Sequence, residues 1–328
     1  MVLRSNRAGP FYGAEPGLLL SYSEQGLNSA MSDQIANEIR CAVPAGDICG
    51  EGAVWHPEQS ALYWTDINRF LVHQFMPAAS STRTWIFDEP VTSVNLTEDH
   101  DLLALAFASR IGLWSPRSHP KVETIYRLPA APEMRFNDAG VDPRGSLWAG
   151  TMRNNVGPHG EDLDVTFSDG VLLRIDPDGT AAEWKRGIGL ANTVAWSPDG
   201  RRFYFGDTRA NTISQFMYDE VSGAISDEQP LLNGYKYGSP DGSAMDAEGF
   251  LWNTRPGASC VIRIAPDGRV EQTVKLPVSR PTTCAFGGDD LHTLFITSAR
   301  SAEQYSGSVF ALQTSMRGVP ARRFRLRS

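Results

Sequence analysis

The apolar positions of the chain fall in short runs separated by turn signals, and helical periodicity is nearly absent from Ile39 onward. One unit recurs: a short apolar strand, a turn such as Ser-Pro-Asp-Gly or Asp-Pro-Arg-Gly, and a second strand that begins with or near an aromatic residue. Short alternating strands broken by glycine and proline turns are typical of all-β proteins. The pattern therefore predicts an all-β chain built from repeated hairpins.

Six copies of the unit can be aligned. They are AVWHPEQSALYWTD from Ala53, SVNLTEDHDLLALA from Ser93, AGVDPRGSLWAGT from Ala139, TVAWSPDGRRFYFGD from Thr193, SAMDAEGFLWNT from Ser243 and TCAFGGDDLHTLFIT from Thr283. Their spacing of roughly 40 to 54 residues is the period of a four-stranded propeller blade. A β-sandwich is the rival fold, but aromatic-bearing hairpins at a regular period favour a six-bladed β-propeller. The segment from about Glu38 to Val43 is expected to add a strand to the last blade and close the ring.

Composition limits the partners. The net charge is −8, with 41% hydrophobic and 21% charged residues, which is ordinary for a folded globular chain. An acidic balance disfavours nucleic acid, and no apolar run is long enough for a membrane span. The four cysteines (Cys41, Cys49, Cys260 and Cys284) are too few for a disulfide framework, so we expect reduced thiols in a cytoplasmic protein. Nothing in the sequence demands an obligate protein partner.

The two ends of the chain differ from the repeats. Residues 1–36 are rich in Gly, Ser and Asn and are expected to form a poorly ordered extension, with Met31 as a second plausible start. Residues 37–328 are expected to form a single propeller domain. The arginine-rich residues 317–327 could contact an acidic surface, although a solvated end is the simpler expectation.

Oxygen-bearing side chains occupy one position of the repeat. Counting six residues back from the first turn of each copy gives Glu51, Asn137, Asn192 and Asp241, whereas copies two and six carry Val91 and Thr282 there. Because the first strand of each blade lines the central channel, equivalent positions converge on one axial site.

Turn chemistry alone is a weaker explanation of these residues. The hairpin of the fifth copy already turns at 246–249, so Asp241 precedes the strand rather than forming its turn. Mixed carboxylate and amide oxygens suit one hard divalent cation such as Ca²⁺, Mg²⁺ or Mn²⁺. Zn²⁺ can occupy such a site but would not be selected by it.

At these residues the sequence resembles the SMP-30/gluconolactonase/LRE family of six-bladed propeller lactonases, over about residues 40–314. The matching segments are GEGAVWHP at 50–57, RFNDAGVDPRGSLWAGTM at 135–152, GLANTVAWSPDG at 189–200, SPDGSAMDAEGFLW at 239–252 and CAFGGDDLHTLFITSAR at 284–300. The resemblance implies that Glu51, Asn192 and Asp241 bind the metal and that Asp241 is also the general base. It implies further that Arg135 and Asn137 bind a sugar lactone.

Two departures from the family pattern concern substrate choice. Arg153, Asn154 and Asn155 follow Gly-Thr-Met where many relatives have small or acidic residues, so Asn155 is expected to contact the sugar through its amide. The fifth blade reads LWNTRPG, so Arg255 is expected near the channel mouth, where relatives often have an aromatic or small residue. Together with Arg135, the arginines Arg153 and Arg255 suggest an anionic lactone such as 6-deoxy-6-sulfogluconolactone, because guanidinium groups bind sulfonate and phosphate oxygens. In the alternative, Arg153 and Arg255 face solvent or pair with nearby acids.

Two other functions stay open at this point. A paraoxonase-like or organophosphatase-like esterase could use the same metal and the same fold. A non-catalytic propeller that binds proteins would not need the set of Glu51, Asn192 and Asp241. The interpretation favoured by the sequence is metal-dependent hydrolysis of a sugar lactone to the aldonic acid.

Overall fold

A computed structural model describes residues 39–327 of the protein, and the expected extension over residues 1–36 lies outside the described residues. Six small β-sheets make up the described chain, five with four strands and one with five. Three short 3₁₀-helices, Pro57–Gln59, Pro77–Ala79 and Pro116–Ser118, lie at turns. In chain order the strands are β1 (Arg40–Val43), β2 (Gly50–His56), β3 (Ala61–Asp66), β4 (Leu71–Met76), β5 (Ser81–Ile86), β6 (Val91–Thr97), β7 (Leu103–Phe107), β8 (Arg110–Trp114), β9 (Val122–Arg127), β10 (Met134–Val141), β11 (Leu147–Arg153), β12 (Gly170–Ile175), β13 (Ala181–Ile188), β14 (Ala191–Trp196), β15 (Arg202–Asp207), β16 (Thr212–Tyr218), β17 (Ile225–Asn233), β18 (Ser243–Met245), β19 (Leu251–Arg255), β20 (Cys260–Ile264), β21 (Val270–Lys275), β22 (Pro281–Gly287), β23 (Thr293–Ser298), β24 (Val309–Gln313) and β25 (Arg323–Phe324).

The sheets are the blades of a ring. The first strand of each blade contacts the first strand of the next, in the circular order β2, β6, β10, β14, β18, β22 and back to β2. The last blade has the order β1-β24-β23-β22, so its outer strand comes from the start of the described chain. The prediction of a six-bladed β-propeller, with its ring closed by a strand ending at Val43, is confirmed.

The tryptophan of the repeat is hydrogen-bonded to the aspartate of its turn in two blades. In the third blade, the indole Nε1 of Trp148 on β11 donates to Asp142 Oδ2 at 2.9 Å, and in the fifth blade Trp252 on β19 donates to Asp246 Oδ2 at 2.9 Å. The other carboxylate oxygen of each aspartate accepts two backbone N–H groups of the turn. Each buried aspartate therefore holds its turn and anchors a large core residue at once, which satisfies the polar atoms that burial leaves without water.

Irregularities in the inner strands lie at or beside the repeat position in five of the six blades, in β6 and β22 as well as in the strands that carry donors. The pairing of β2 shifts register between Glu51 and Val54, that of β10 between Phe136 and Ala139, and that of β14 between Asn192 and Val194. A bulge adds a residue to one strand and changes the direction of the side chains beside it. The bulges therefore belong to the repeated strand itself, and in β2, β10 and β14 they lie beside the donors.

The arginine-rich end of the chain is bound to the ring, so the expectation of a solvated end is wrong. We call residues 317–325 the C-terminal strap. Hydrogen bonds from its backbone or side chains reach residues of all six blades: Glu58, Thr97, Glu98, Gly145, Ser197, Met245, Ala247 and Leu291. Its last part, β25, pairs in parallel with β6 at Leu96 and Thr97, and Phe324 is buried between the second and third blades. The strap therefore crosses the channel at the end where the inner strands finish.

Two further observations concern the cysteines and the helices. The four cysteines are unbridged in the described structure; Cys260 and Cys284 are buried, and Cys41 and Cys49 are partly exposed. Within residues 39–327 no helix has the length and apolar character needed to cross a membrane.

Candidate functional site

The four predicted oxygen donors meet at one end of the channel, where the inner strands begin. Glu51 and Asn192 are the second residues of β2 and β14, Asn137 lies in the first half of β10, and Asp241 lies two residues before β18. The Asn137 and Asn192 amides are hydrogen-bonded at 3.0 Å. The carboxyl groups of Glu51 and Asp241 are close enough to share a hydrogen bond, although they belong to blades one and five. The structure thus brings this set together from four blades.

A network of hydrogen bonds fixes how the amides point. Asn137 Nδ2 donates to the Ala191 carbonyl at 2.8 Å and to Asn192 Oδ1 at 3.0 Å. Asn192 Nδ2 donates to Thr208 Oγ1 at 2.7 Å, and that hydroxyl donates to the Pro240 carbonyl at 2.6 Å, immediately before Asp241. Both amide oxygens also have protein donors, Asn137 Nδ2 for Asn192 Oδ1 and Arg135 Nη1 for Asn137 Oδ1, and each oxygen keeps a second lone pair. Oxygen is also the atom that a hard cation would bind.

Arg135 and Asn155, both expected to contact substrate, lie next to this set. Asn155 Oδ1 accepts from Arg135 Nε at 2.9 Å and from Nη2 at 2.7 Å, and Arg135 Nη1 donates to Asn137 Oδ1 at 2.7 Å. The Arg135 side chain is only 4% exposed. Burial lowers its pKa to about 10, so the guanidinium keeps its positive charge at neutral pH. Arg135, Asn137 and Asn155 therefore form one connected group.

The carboxyl groups of Glu51 and Asp241, at the end of the channel where the inner strands begin, both have raised pKa values. Burial raises the pKa of Glu51 to about 8, and the nearby Asp138 adds to that rise. Burial and the charge of Glu51 also raise the pKa of Asp241 well above its usual range. Such shifts arise when negative charges are brought together away from water with too little positive charge to balance them. A cation between Glu51 and Asp241 would remove this cost.

Asp138 was not predicted from the sequence. It follows Asn137 directly, but it does not occupy the repeat position that marked the other donors. Its carboxylate accepts the backbone N–H of Ala139 at 2.8 Å and interacts with the N–H groups of Thr193 and Val194 in the next blade. Burial nevertheless raises its pKa to about 7. The signal in the sequence was only its adjacency to Asn137 in the Arg-Phe-Asn-Asp segment.

The residues present fit a hard divalent cation. Among residues 39–327, no group of three or more His, Cys, Asp or Glu side chains lies together in a way that could hold a metal ion. A cation here would thus be bound by the carboxylates of Glu51 and Asp241 together with the amide oxygen of Asn192. An all-oxygen set of this kind matches Ca²⁺, Mg²⁺ or Mn²⁺ better than it matches Zn²⁺.

The structure does not bring Arg153 and Arg255 to the other site residues. Arg153 Nη2 pairs with Asp169 Oδ2 at 2.6 Å and lines a groove between the second and third blades. Arg255 is 1% exposed and donates to Asn211, Asn253 and the carbonyl oxygens of Tyr237 and Gly238. Side chains on the last residues of a second strand can face either side of the blade, which the sequence pattern does not distinguish. Arg255 holds the segment that leads to Asp241 and offers little to a ligand.

A long loop over residues 154–168 joins β11 to β12 and extends across the mouth. Asn68, in the first blade, donates to the Gly160 carbonyl at 2.9 Å and to Asp162 Oδ1 at 3.0 Å. Arg209, in the fourth blade, donates to the Phe167 carbonyl at 3.1 Å. The loop therefore starts in the third blade and reaches the first blade on one side, past the second, and the neighbouring fourth blade on the other. Sequence analysis found Asn155 at its start but not its anchors, because these lie far away in the chain.

Behind the donor set the channel contains a cavity of about 170 Å³. Inner-strand residues line it, with Asp138 among them, and strap residues 319–322 form part of its wall. The strap closes the end of the channel opposite the donors. A substrate would therefore reach the site from the side of the mouth.

Comparisons with known proteins identify the family of the chain. Residues 49–300 match the model of the SMP-30/Gluconolactonase/LRE-like region. The chain is 30% identical to pentonolactonase XacC of Haloferax volcanii, over 83% of this chain and 92% of that protein. It is 33% identical to the 6-deoxy-6-sulfogluconolactonase of Pseudomonas putida, over 85% of this chain and 96% of that protein.

A solved structure extends the likeness to the fold. The calcium-binding protein regucalcin of Agrobacterium tumefaciens superposes with a TM-score of 0.81 at 25% identity, covering 88% of this chain and 98% of that protein. The resemblance that rested on Glu51, Asn137, Asn192 and Asp241 is confirmed over most of the sequence. This chain belongs to the SMP-30/gluconolactonase/LRE-like family of β-propeller proteins.

Proposed function

We propose that the protein hydrolyses a sugar lactone to the corresponding aldonic acid, with one divalent cation bound by Glu51, Asn192 and Asp241. The observation that carries this proposal is the meeting of two carboxylates and oriented amide oxygens at the channel mouth, beside a buried guanidinium. The relatives named as lactonases support an enzyme that acts on cyclic carboxylic esters. A cytoplasmic location remains a prediction.

The side chains divide the chemistry between them. A cation bound here would polarise the lactone carbonyl and lower the pKa of a water molecule. Asp241 accepts the proton of the attacking water as the new C–O bond forms, and returns it to the ring oxygen as the acyl C–O bond breaks. Arg135 has a second N–H on Nη2 for the oxygen that becomes negative, and Asn137 and Asn155 position the sugar hydroxyls around Arg135. Neither step requires a nucleophilic serine.

An anionic lactone is a narrower possibility within this proposal. The relative named 6-deoxy-6-sulfogluconolactonase favours it. Arg153 and Arg255 do not support an anionic lactone, because Arg153 is paired with Asp169 and Arg255 is buried among protein acceptors. We therefore propose a sugar lactone as the substrate class. The assay below decides whether the preferred lactone carries a charged group at C6.

The decisive experiment is pH-indicator hydrolysis of glucono-1,5-lactone and its 6-deoxy-6-sulfo analogue, each with and without EDTA. We expect a lactone to be opened faster than its spontaneous rate, the excess to vanish with EDTA, and Mn²⁺ or Ca²⁺ to restore it. Activity that persists after complete chelation would contradict the cation. If neither lactone is opened with any divalent ion, paraoxonase-type esters are the next substrates, and failure on those as well would favour a binding module.

The placement of the two outer arginines leads to a separate prediction. Arg153→Ala removes an ion pair that is partly exposed, so kcat/KM for either lactone is expected to change by less than about threefold. Arg255→Ala removes a buried group with several acceptors and is expected to lower the thermal stability as well as kcat for both lactones equally. Steady-state kinetics and thermal unfolding test both variants. A selective loss of the sulfonated substrate in either variant would show that its guanidinium binds the anionic group.

A further inference from the structure

One residue between the proposed ligands has an unusual backbone. Thr193 follows Asn192 at the bulge of β14 and has φ of +55°. Among residues 39–327 it is the only β-branched residue with a positive φ. Such residues are rarely found in the left-handed region, where the side chain strains the backbone, whereas glycine occupies it without strain. A threonine here therefore needs an interaction, made by its side chain, that offsets the backbone strain.

The equivalent position in the first blade is occupied by a glycine, which adopts the same backbone conformation without strain. Gly52 follows Glu51, at the bulge of β2, and has φ of +59°. A Cβ atom on Gly52 would lie 2.6 Å from the Cα of Ser93, so no side chain fits there. At Thr193 the neighbouring strand makes room instead: residue 206 is glycine, and a Cβ on it would lie 3.0 Å from the Thr193 Cβ. The absence of a side chain at Gly206 thus leaves space for the side chain of Thr193.

The hydroxyl of Thr193 makes the interactions that glycine could not make. Thr193 is fully buried, and its Oγ1 donates to the backbone carbonyl of Asp241 at 2.6 Å. The same oxygen is 2.9 Å from Ser243 Oγ and accepts from Asn253 Nδ2 at 3.3 Å. These partners all belong to the fifth blade. One side chain in the fourth blade therefore holds the backbone on which Asp241 stands.

Thr193 consequently connects the two blades that supply Asn192 and Asp241. Its backbone continues directly from Asn192, so the left-handed turn sets the direction of the amide, and its hydroxyl holds Asp241 at a fixed distance. Groups that orient metal ligands without touching the metal commonly govern affinity. We propose that Thr193 is a positioning residue that keeps Asn192 and Asp241 at the separation a divalent cation requires. This inference rests on the cation site of the proposed function.

Three substitutions separate the hydroxyl from the shape and from the strain. Thr193→Ser keeps the hydroxyl, Thr193→Val keeps the branched shape without it, and Thr193→Gly removes both the hydroxyl and the steric strain. Binding of Mn²⁺ alone, measured by titration calorimetry, gives a readout that does not depend on catalysis. Thermal unfolding in EDTA gives the stability of each metal-free variant.

We expect Thr193→Ser to bind Mn²⁺ within about threefold of the wild type, and Thr193→Val and Thr193→Gly to bind it about tenfold or more weakly, as losses of ligand-orienting groups do. Thr193→Gly and Thr193→Val lose the same buried hydrogen bonds, but only Thr193→Gly also loses the strain, so Thr193→Gly is expected to unfold in EDTA at or above the temperature of Thr193→Val. The two variants would then differ in stability and agree in their loss of affinity, which a purely structural role for Thr193 does not produce.

The outcomes are distinguishable from failure of the proposed function. If the wild type does not bind Mn²⁺ or another divalent ion, the cation site itself is wrong. If the wild type binds Mn²⁺ and folded Thr193→Val binds it equally well, the positioning role is overturned while the proposed function stands. Weak binding by Thr193→Ser as well would also overturn it, because the hydroxyl would then not be the group that matters. If Thr193→Val does not fold, Thr193→Gly and Thr193→Ser decide alone.

Discussion

Replacing Asp241 with asparagine is expected to lower kcat for lactone hydrolysis by about a thousandfold, within the range found for loss of a general base. The amide keeps an oxygen where the carboxylate had one, so a cation can still bind, but an amide cannot take a proton from water. The loss should therefore persist when Mn²⁺ is saturating. Initial rates across a Mn²⁺ titration measure kcat at saturation, and calorimetry measures the occupancy of the site.

Glu51→Gln is the matched control for this experiment. Glu51 is a carboxylate beside Asp241 and shares a hydrogen bond with it, but it has no proposed part in proton transfer. Its amide variant should bind Mn²⁺ about ten- to a hundredfold more weakly and yet recover most of kcat once Mn²⁺ is saturating. If both variants lose kcat equally at full occupancy, Asp241 is not distinguished as the base. If Asp241→Asn keeps full kcat, the base lies elsewhere, and Asp138 is the nearest other carboxylate.

The repeat made the centre of this site predictable. Because each blade copies the same strand and turn, a position counted from the turn has the same place on the channel wall in every blade. Glu51, Asn137, Asn192 and Asp241 could therefore be assigned to one end of the channel before any contact was known. The same periodicity predicted the ring and the strand that closes it. Sequence succeeded where local pattern and global symmetry agreed.

Features without a copy in other blades could not be found in this way. Asp138 stands one residue outside the repeat position, and the strain at Thr193 is visible only in its φ angle. The loop over 154–168 depends on Asn68 and Arg209, which are distant in the chain. Arg255 was expected near substrate because of its position in the sequence, but its direction depends on acceptors in the preceding loop. These are interactions between blades, which no single repeat encodes.

The C-terminal strap is the clearest departure from the sequence-based expectation, and it leads to the largest expected change in stability. Phe324→Ala is expected to destabilise the protein by about 3 to 5 kcal/mol, the usual cost of removing a phenyl ring from a packed core. Phe324 is 1% exposed and lies against core residues of the second and third blades, among them Phe136 and Leu147. Equilibrium unfolding in urea measures the change in free energy of unfolding.

Arg325→Ala supplies the control within the same segment. Its side chain is largely exposed, and its one ion pair with Glu98 is long at 3.8 Å, so the substitution should change the free energy of unfolding by less than about 1 kcal/mol. The backbone of Arg325 still donates to Gly145 in this variant, so the strap keeps its path across the channel. If Phe324→Ala unfolds at the same urea concentration as the wild type, the strap is not part of the cooperative ring. The end of the channel opposite the donors would then have to be held by the inner strands, which line the cavity there together with strap residues 319–322.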